Sequence, residues 1–277
     1  MAKRTWFITG VSTGFGREMT TQLLKRGERV AGTVRDLVVL NDLAPSEQLW
    51  LAKLDVTDTP AIRATVDRAF AELGRIDVVV NNAGYGLLGA AEEMSDEQVV
   101  HQINTNLIGS IQIVRCALPH LRNQGGGRIL QLSSVGGQDA CPGGSMYHAS
   151  KWGIEGFIDA VAQEVAPFGI ECTLIEPGGA RTDFRYRSGQ LPANRIAAYD
   201  ASPAIHARKM LEAKTALSPG DPVKMVELMI ASVDQSPAPR RVALGTDAYT
   251  TMHKQLSARL AELEAQKELA VSTDVSA

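Results

Sequence analysis

Short strand-like runs alternate with helical patterns along nearly the whole chain, and that alternation restricts the fold more than any other feature. Strand character falls at residues 5–9, 29–34, 49–54, 78–80, 128–133, 171–175 and 241–244. Helical spacing of apolar residues falls between them, including 59–73, 96–122, 147–167 and 222–233. Such alternation predicts an α/β fold with a doubly wound parallel sheet of about seven strands and helices on both faces. Val78-Val79-Val80 and Cys172-Thr173-Leu174-Ile175 are short and almost continuously apolar, as parallel strands buried on both faces should be. The 277 residues, 44% hydrophobic and 21% charged, suffice for one well-buried core, so residues 1–277 are read as a single domain. Gly125-Gly126-Gly127 separates the long helical pattern from the fifth strand.

The first strand-like run ends in Thr9-Gly10-Val11-Ser12-Thr13-Gly14-Phe15-Gly16, and a helical pattern with Met19, Leu23 and Leu24 on its apolar side follows. Glycines in such a turn allow positive φ and let a pyrophosphate approach the backbone. The helix start then offers free N–H groups and the positive end of its dipole to an anion. The spacing is G-x-x-x-G-x-G, not the G-x-G-x-x-G of the usual dinucleotide fingerprint. Alone, the turn does not separate an anion cradle from an ordinary strand–turn–helix.

A second constellation carries chemistry. Tyr147 and Lys151 are four residues apart, and Ser134 precedes them. On a helix, Tyr-x-x-x-Lys places phenol and ammonium on one face. A phenol titrates near ~10, and a neighbouring cation lowers that value toward the working range of an acid/base group. An isolated pair of this kind is more often an i,i+4 surface contact; Ser134 and the cofactor motifs together favour the catalytic reading. Ser133 is read as structural. His148 is expected on another side of the helix and is not assigned as a base.

Taken in order, these motifs resemble the short-chain dehydrogenase/reductase family over roughly residues 3–245. Thr9 to Gly16 resembles its cofactor turn, with Gly10, Ser12, Thr13, Gly14, Phe15 and Gly16 as contacts. Asp55-Val56 resembles its adenine-contacting pair, and Asn81-Asn82-Ala83-Gly84 its stabilising turn, with Asn82, Ala83 and Gly84 at the cofactor. Asn106, Ser134, Tyr147 and Lys151 match its catalytic tetrad, and Pro177-Gly178 with Thr182 its nicotinamide loop. The resemblance implies a Rossmann-type fold and an enzyme, an NAD(P)-dependent oxidoreductase moving a hydride between nicotinamide and a secondary alcohol or ketone. It implies that Tyr147 exchanges the proton, that Lys151 lowers the tyrosine pKa and bonds the nicotinamide ribose, and that Ser134 stabilises the alkoxide. It also implies that Asn106 holds a water on a proton path, and that the pro-S hydride is transferred. The same fold also hosts epimerases or dehydratases that retain their cofactor, and non-catalytic NADP(H) sensors; an intact tetrad argues against the last.

The second strand ends Val34-Arg35-Asp36, with Val34 placed at the position that reads the ribose. An apolar residue there offers the 2′-hydroxyl no bond, whereas the planar donor fork of Arg35 suits a 2′-phosphate. The expectation is NADP(H) over NAD(H). The alternative leaves Arg35 solvated or paired with Asp36, which would then read a bare ribose.

A net charge of −3 gives no electrostatic case for nucleic acid, and no run is long enough to span a membrane. Cys116, Cys141 and Cys172 share no metal or redox spacing, and the thiols fit a reducing cytoplasm. No His/Asp/Glu cluster suggests a metal, and the scattered His101, His120, His206 and His253 suit surface or packing roles. Gly136, Gly137, Cys141 and Pro142 are expected to line the substrate cleft. Residues 183–220, with Arg185, Arg187, Pro192 and Pro203, lack strand character and are read as a loop and short helices covering the active site. Residues 248–277 form a C-terminal helix with Met252, Leu256, Leu260 and Leu263 at helical spacing, fraying after Val271. The long helices resemble those that pair subunits in the family, so a homodimer or homotetramer is expected around a small-molecule substrate.

Overall fold

The computed structural model describes residues 3–43, 46–182, 188–213 and 218–275. Nine strands occur among them: β1 (Thr5–Thr9), β2 (Arg29–Val34), β3 (Leu49–Lys53), β4 (Val78–Asn81), β5 (Gly86–Leu87), β6 (Gly127–Leu132), β7 (Ile170–Pro177), β8 (Gly189–Gln190) and β9 (Arg241–Leu244). The helices are α1 (Gly14–Lys25), α2 (Thr59–Leu73), α3 (Asp96–Ile103), α4 (Gly109–Asn123), α5 (Ser145–Val165), α6 (Ile205–Ala213), α7 (Pro222–Ser232), α8 (Thr246–Glu264) and α9 (Lys267–Val271).

Seven strands form one parallel sheet in the order β3-β2-β1-β4-β6-β7-β9. Alternate strand residues feed two cores. Phe7, Val79, Ile129 and Leu174 pack on one face with Ile62 and Val66 of α2, Ile113 of α4 and Ile154 and Ile158 of α5. Trp6, Ile8, Val78, Val80, Leu130 and Ile175 pack on the other with Met19 and Leu23 of α1 and Met229 and Ile230 of α7. Burial on both faces explains why these strands read as apolar runs, not as alternations. Helix starts follow local chemistry: Asp58 and Asp221 cap α2 and α7 through the N–H groups of Ala61 (2.9 Å) and Val223 (2.9 Å).

Strand order reverses beside β1, whose chain leaves toward β2 while β4 lies on its other edge. In open α/β sheets, ligand crevices form at the carboxyl ends of strands where the order reverses. Gly10 and Asn82, just past β1 and β4, stand at that point.

Three local departures from the sequence expectation appear. The 96–122 helix is continuous but carries a π-helical segment, Asn104–Ile108, between α3 and α4. The segment after β7 does contain strand: Gly189–Gln190 pairs in parallel with Gly86–Leu87 in a small separate sheet. Two residues are too few to show a side-chain period, so nothing in the sequence marks them. The 147–167 helical pattern ends earlier than 167, at Val165, with a 3₁₀ turn over Ala166–Phe168. α8 and α9 follow β9; Met252 is buried, whereas Leu256, Leu260 and Leu263 are exposed. Arg185 and Arg187 lie outside the described residues.

Candidate active site

The glycine turn between β1 and α1 is built for close approach. Gly10 has φ +72°. A Cβ on Gly16 would stand 2.3 Å from the Gly10 carbonyl oxygen and 2.4 Å from Asn82 Nδ2, so only glycine lets α1 begin against the turn. Asn82 closes the turn from β4: its Nδ2 donates to the carbonyls of Thr9 and Gly10, both at 2.9 Å. Thr9 Oγ1 accepts from the N–H groups of Asn82 and Ala83, each at 3.1 Å. Thr13, at the N-cap of α1 and following Ser12, makes no side-chain capping bond, and no acid occupies the first turn. The uncapped N–H groups and positive dipole end therefore face the crevice, a donor set that fits a pyrophosphate. Phe15 is partly buried and packs on the core behind the turn.

Around this cradle stand the other expected cofactor residues. Asp55 follows β3 and accepts from the Thr57 N–H (2.9 Å) and hydroxyl (2.8 Å). Partial burial pushes its carboxyl up, but these bonds and the charges of Arg35 and His101 outweigh it and hold the group below its ordinary range. Val56 packs against Gly109, where a Cβ would meet the Val56 carbonyl oxygen at 2.5 Å. β2 does end at the buried Val34, and Arg35 beyond it is exposed. Asp36 spends its carboxylate on the Val38 N–H (3.0 Å). Gly84 lies against Asn106, whose Oδ1 would be 3.2 Å from an added Cβ. On the far side, Pro177 ends β7, the Gly178 N–H donates to Leu244 O (2.9 Å), and Thr182 bonds Ala180 O (2.9 Å) while facing Gly14.

The four tetrad residues converge beside this cradle. Ser134 follows β6 and is buried; its Oγ accepts from the Gly136 N–H (3.1 Å), and its hydroxyl is close enough to the Tyr147 phenol to oppose the rise in that group's pKa. Tyr147, in the first turn of α5, is half-buried. Lys151 is buried, donates from Nζ to Leu132 O (2.8 Å) and stands 5.7 Å from the Tyr147 ring centroid. Asn106 sits in the π segment, 2% exposed, and its amide is fully committed. Its Oδ1 accepts from the Tyr85 N–H (3.0 Å), and its Nδ2 donates to Tyr85 O (2.8 Å) and Ser150 Oγ (3.2 Å).

Electrostatics differ from the simple expectation at one point. Burial pushes the Tyr147 phenol up, and the opposing influence is the Ser134 hydroxyl, not the lysine. The larger effect falls on Lys151: burial pulls it down to about 8, against the charge of Glu155. The ammonium donates to Leu132 O at 2.8 Å.

Residues 4–192 match the family model described as short chain dehydrogenase. The chain belongs to the short-chain dehydrogenase family. The relatives agree. Oxidoreductase BOA17 of Botryotinia fuckeliana is 34% identical over 273 residues, 98% of this chain and 99% of that protein. A 3-ketodihydrosphingosine reductase of Bacteroides thetaiotaomicron is 38% identical over 180 residues, 64% of each chain. The solved structure of a short-chain dehydrogenase from Streptomyces avermitilis superposes with a TM-score of 0.92 at 33% identity, covering 99% of this chain and 100% of that one. This short-chain dehydrogenase is an oxidoreductase of the kind that acts on CH–OH or carbonyl groups.

Several residues that build the dehydrogenase site carry no motif. His148 faces the Ser134 loop more closely than expected: its Nδ1 bonds Gly136 O (2.9 Å), and its Nε2 accepts from the Cys141 N–H (3.1 Å) with Cys141 Sγ at 3.3 Å. The Asp247 Oδ2 in the first turn of α8 accepts from the Gly179 N–H (2.7 Å) and so ties the C-terminal helix to the Pro177–Thr182 loop. Glu93 and Arg208, both buried, pair at 3.3 Å and tie α6 to the turn before α3. Of the other histidines, His120 pairs with Asp67 (2.7 Å) and stacks on Phe70, and His101 bonds Thr105 (3.0 Å). Cys116 and Cys172 are buried, Cys141 is exposed, and burial pushes the Cys172 thiol up to about 12. Among the described residues no group of three or more His, Cys, Asp or Glu could hold a metal ion, and no helix is long and apolar enough to cross a membrane.

Proposed function

We propose that the protein is an NADP(H)-preferring carbonyl reductase or alcohol dehydrogenase that interconverts a ketone and a secondary alcohol, with Tyr147 as the acid/base. The observation that carries this reading is the convergence of Ser134 and buried Lys151 on Tyr147, with the glycine cradle beside them. Gly10 to Gly16, Asn82, Ala83 and Gly84 would hold the dinucleotide, with Asp55 and Val56 toward the adenine and Pro177, Gly178 and Thr182 toward the nicotinamide. When bound, the nicotinamide supplies or receives the hydride. In reduction, Tyr147 Oη donates its proton to the carbonyl oxygen as negative charge develops there. Ser134 Oγ donates a hydrogen bond to the same oxygen, a preorganised stabilisation of the alkoxide. Lys151 supplies the positive charge that lets Tyr147 be reprotonated. Asn106, through Tyr85 and Ser150, fixes the floor on which Lys151 stands.

Arg35 supports NADP(H): it is exposed at the end of β2, near enough to Asp55 to influence it, and Asp36 is occupied by Val38. A small-molecule substrate, a homodimer or homotetramer and a reducing cytoplasm, which the thiols suit, belong to the same reading.

The test is loss of NADPH absorbance, beside NADH, across aliphatic, aromatic, sugar-derived and steroidal ketones, with Tyr147→Phe as control. Turnover that disappears in Tyr147→Phe while NADPH binding persists is expected; retained kcat rejects the assignment. Arg35→Ala should raise KM for NADPH and spare NADH, and an equal effect on both would sink the cofactor preference. Tight NADPH binding with no turnover across the panel would favour a retained-cofactor epimerase or a sensor instead.

A further inference from the structure

Beneath the catalytic surface, α5 grips the end of β6 at two successive turns. Lys151 Nζ holds the Leu132 carbonyl at 2.8 Å. One turn later the Glu155 carboxylate accepts from the Ser133 hydroxyl. The next residue is Ser134. The other Glu155 oxygen accepts from Gln138 Nε2, on the far side of the turn Val135–Gly137, and from Arg241 of β9 at 2.6 Å. A Cβ on Gly137 would lie 1.9 Å from Glu155 Oε1, so the turn after Ser134 is closed directly onto this carboxylate. Arg241 also bonds Glu176 at 2.5 Å, the residue before Pro177. One buried acid thus connects both loops that frame the reacting centre.

Holding a loop does not of itself require a charge. A carboxylate only 3% exposed is costly to bury unless it is paired and fully bonded, and neutral side chains make loop ties at less cost. The charge does have a neighbour that needs it: Glu155 stands four residues from Lys151 on the same helix face, where it opposes the loss of the lysine proton. The charged and titratable groups around the pair are Tyr147 and Asp159 on α5, Glu176 on β7, and Arg240 and Arg241 at β9.

We propose that Glu155 is a positioning residue of the active site, which fixes the turn presenting Ser134 and supports the ammonium of Lys151 from one helical turn away. The inference rests on the proposed roles of Ser134, Tyr147 and Lys151, but its electrostatic part is measurable without a substrate.

The experiment is NMR titration of protein carrying ¹³Cε-labelled lysine, with Lys151→Arg to assign the Lys151 signal. Wild type should titrate at about 8. In Glu155→Gln the midpoint should fall by roughly one pH unit, a tenfold change in the proton equilibrium. A midpoint unchanged from wild type overturns the proposal. Ser133→Ala tests the loop separately, since it keeps the carboxylate and its Arg241 pair. It should lower kcat about tenfold, about the effect of one misplaced hydrogen-bonding group, and lower the Tm through the lost buried bond, while leaving the Lys151 midpoint and the NADPH Kd unchanged. Should Glu155→Gln fail to fold, Ser133→Ala and Gln138→Ala carry the test, and wild-type kcat in both overturns it. A wild type that reduces no ketone would count against the proposed function, while the Lys151 midpoint still decides the role of Glu155.

Discussion

Lys151, not Tyr147, is the group whose charge changes nearest neutral pH. Burial raises the phenol, so it stays protonated through the working range, while burial lowers the ammonium from 10.5 to about 8. In the reductive direction kcat/KM should therefore hold below pH 8 and fall above it, and the limb belongs to the lysine. Lys151→Arg should reduce the rate but remove that limb, because a guanidinium does not titrate there. A pH–rate profile in which Lys151→Arg keeps a limb at wild-type position would reject the assignment. The sign for stability is opposite. The folded value lies below the unfolded one, so between about 8 and 10.5 the unfolded chain binds more protons and this site's penalty is relieved as pH rises. A second residue-scale expectation concerns Gly16. Alanine there would place a methyl 2.3 Å from Gly10 O and displace Asn82, at a cost of about 1–3 kcal/mol. Gly16→Ala should lower the denaturation midpoint and weaken NADPH binding together, and a variant that binds NADPH as wild type would show that the turn has slack.

At the scale of elements, the π segment Asn104–Ile108 is where α3–α4 meets the tetrad. Single π turns inside α-helices frequently mark functional sites, because the extra residue re-aims a side chain. Here it delivers the Asn106 amide to both backbone groups of Tyr85 and to Ser150. Asn106→Ala removes three buried hydrogen bonds at about 1 kcal/mol each and leaves Tyr85 N–H unpaired. It should cost about 3 kcal/mol in urea denaturation and slow turnover; a loss below about 1 kcal/mol would mean that water or backbone rearrangement replaces the amide. The sequence shows no sign of this segment, since Asn104-Thr105-Asn106-Leu107-Ile108 continues a helical pattern without glycine or proline. The seven sheet strands are legible because strands covered on both faces must be apolar throughout, and the motifs at their ends point Gly10, Asn82, Ser134, Tyr147 and Lys151 toward one crevice. Pairing over distance is not legible. Glu155 with Ser133, Asp247 with Gly179 and Glu93 with Arg208 join residues 22, 68 and 115 positions apart, with no local signature at either end.

Beside the seven-stranded sheet, residues 188–213 form a cover packed on the turns after β4 and β6. Its ties among the described residues include Gln98 to Leu191 O and the Ala193 N–H, and Tyr199 Oη to Glu92. α6 lies on Gly143, where an added Cβ would meet the Ala207 side chain at 2.5 Å, and Gly189–Gln190 joins Gly86–Leu87 by a two-residue ladder. The strongest tie is polar: Glu93, 3% exposed, accepts from the N–H groups of Ala90 (3.1 Å) and Ile196 (3.0 Å) and pairs with Arg208, 9% exposed. Peripheral segments open locally without global unfolding. Arg208→Met should leave the Glu93 carboxylate buried with its cation gone, a loss of about 3–5 kcal/mol borne by the cover and not by the sheet. Hydrogen exchange should then rise across 196–213 and stay low in β1, β4 and β6, while KM for the carbonyl substrate increases with little change in NADPH Kd. Acid should imitate the mutation. Burial pushes Glu93 up, but its two N–H bonds and Arg208 outweigh it and hold the group below its ordinary value of 4.5. The tie is therefore intact above pH 4.5 and is lost only as pH falls through the lower folded value. Exchange in 196–213 that rises already between pH 7 and 5 would show that the cover is held by something other than this pair.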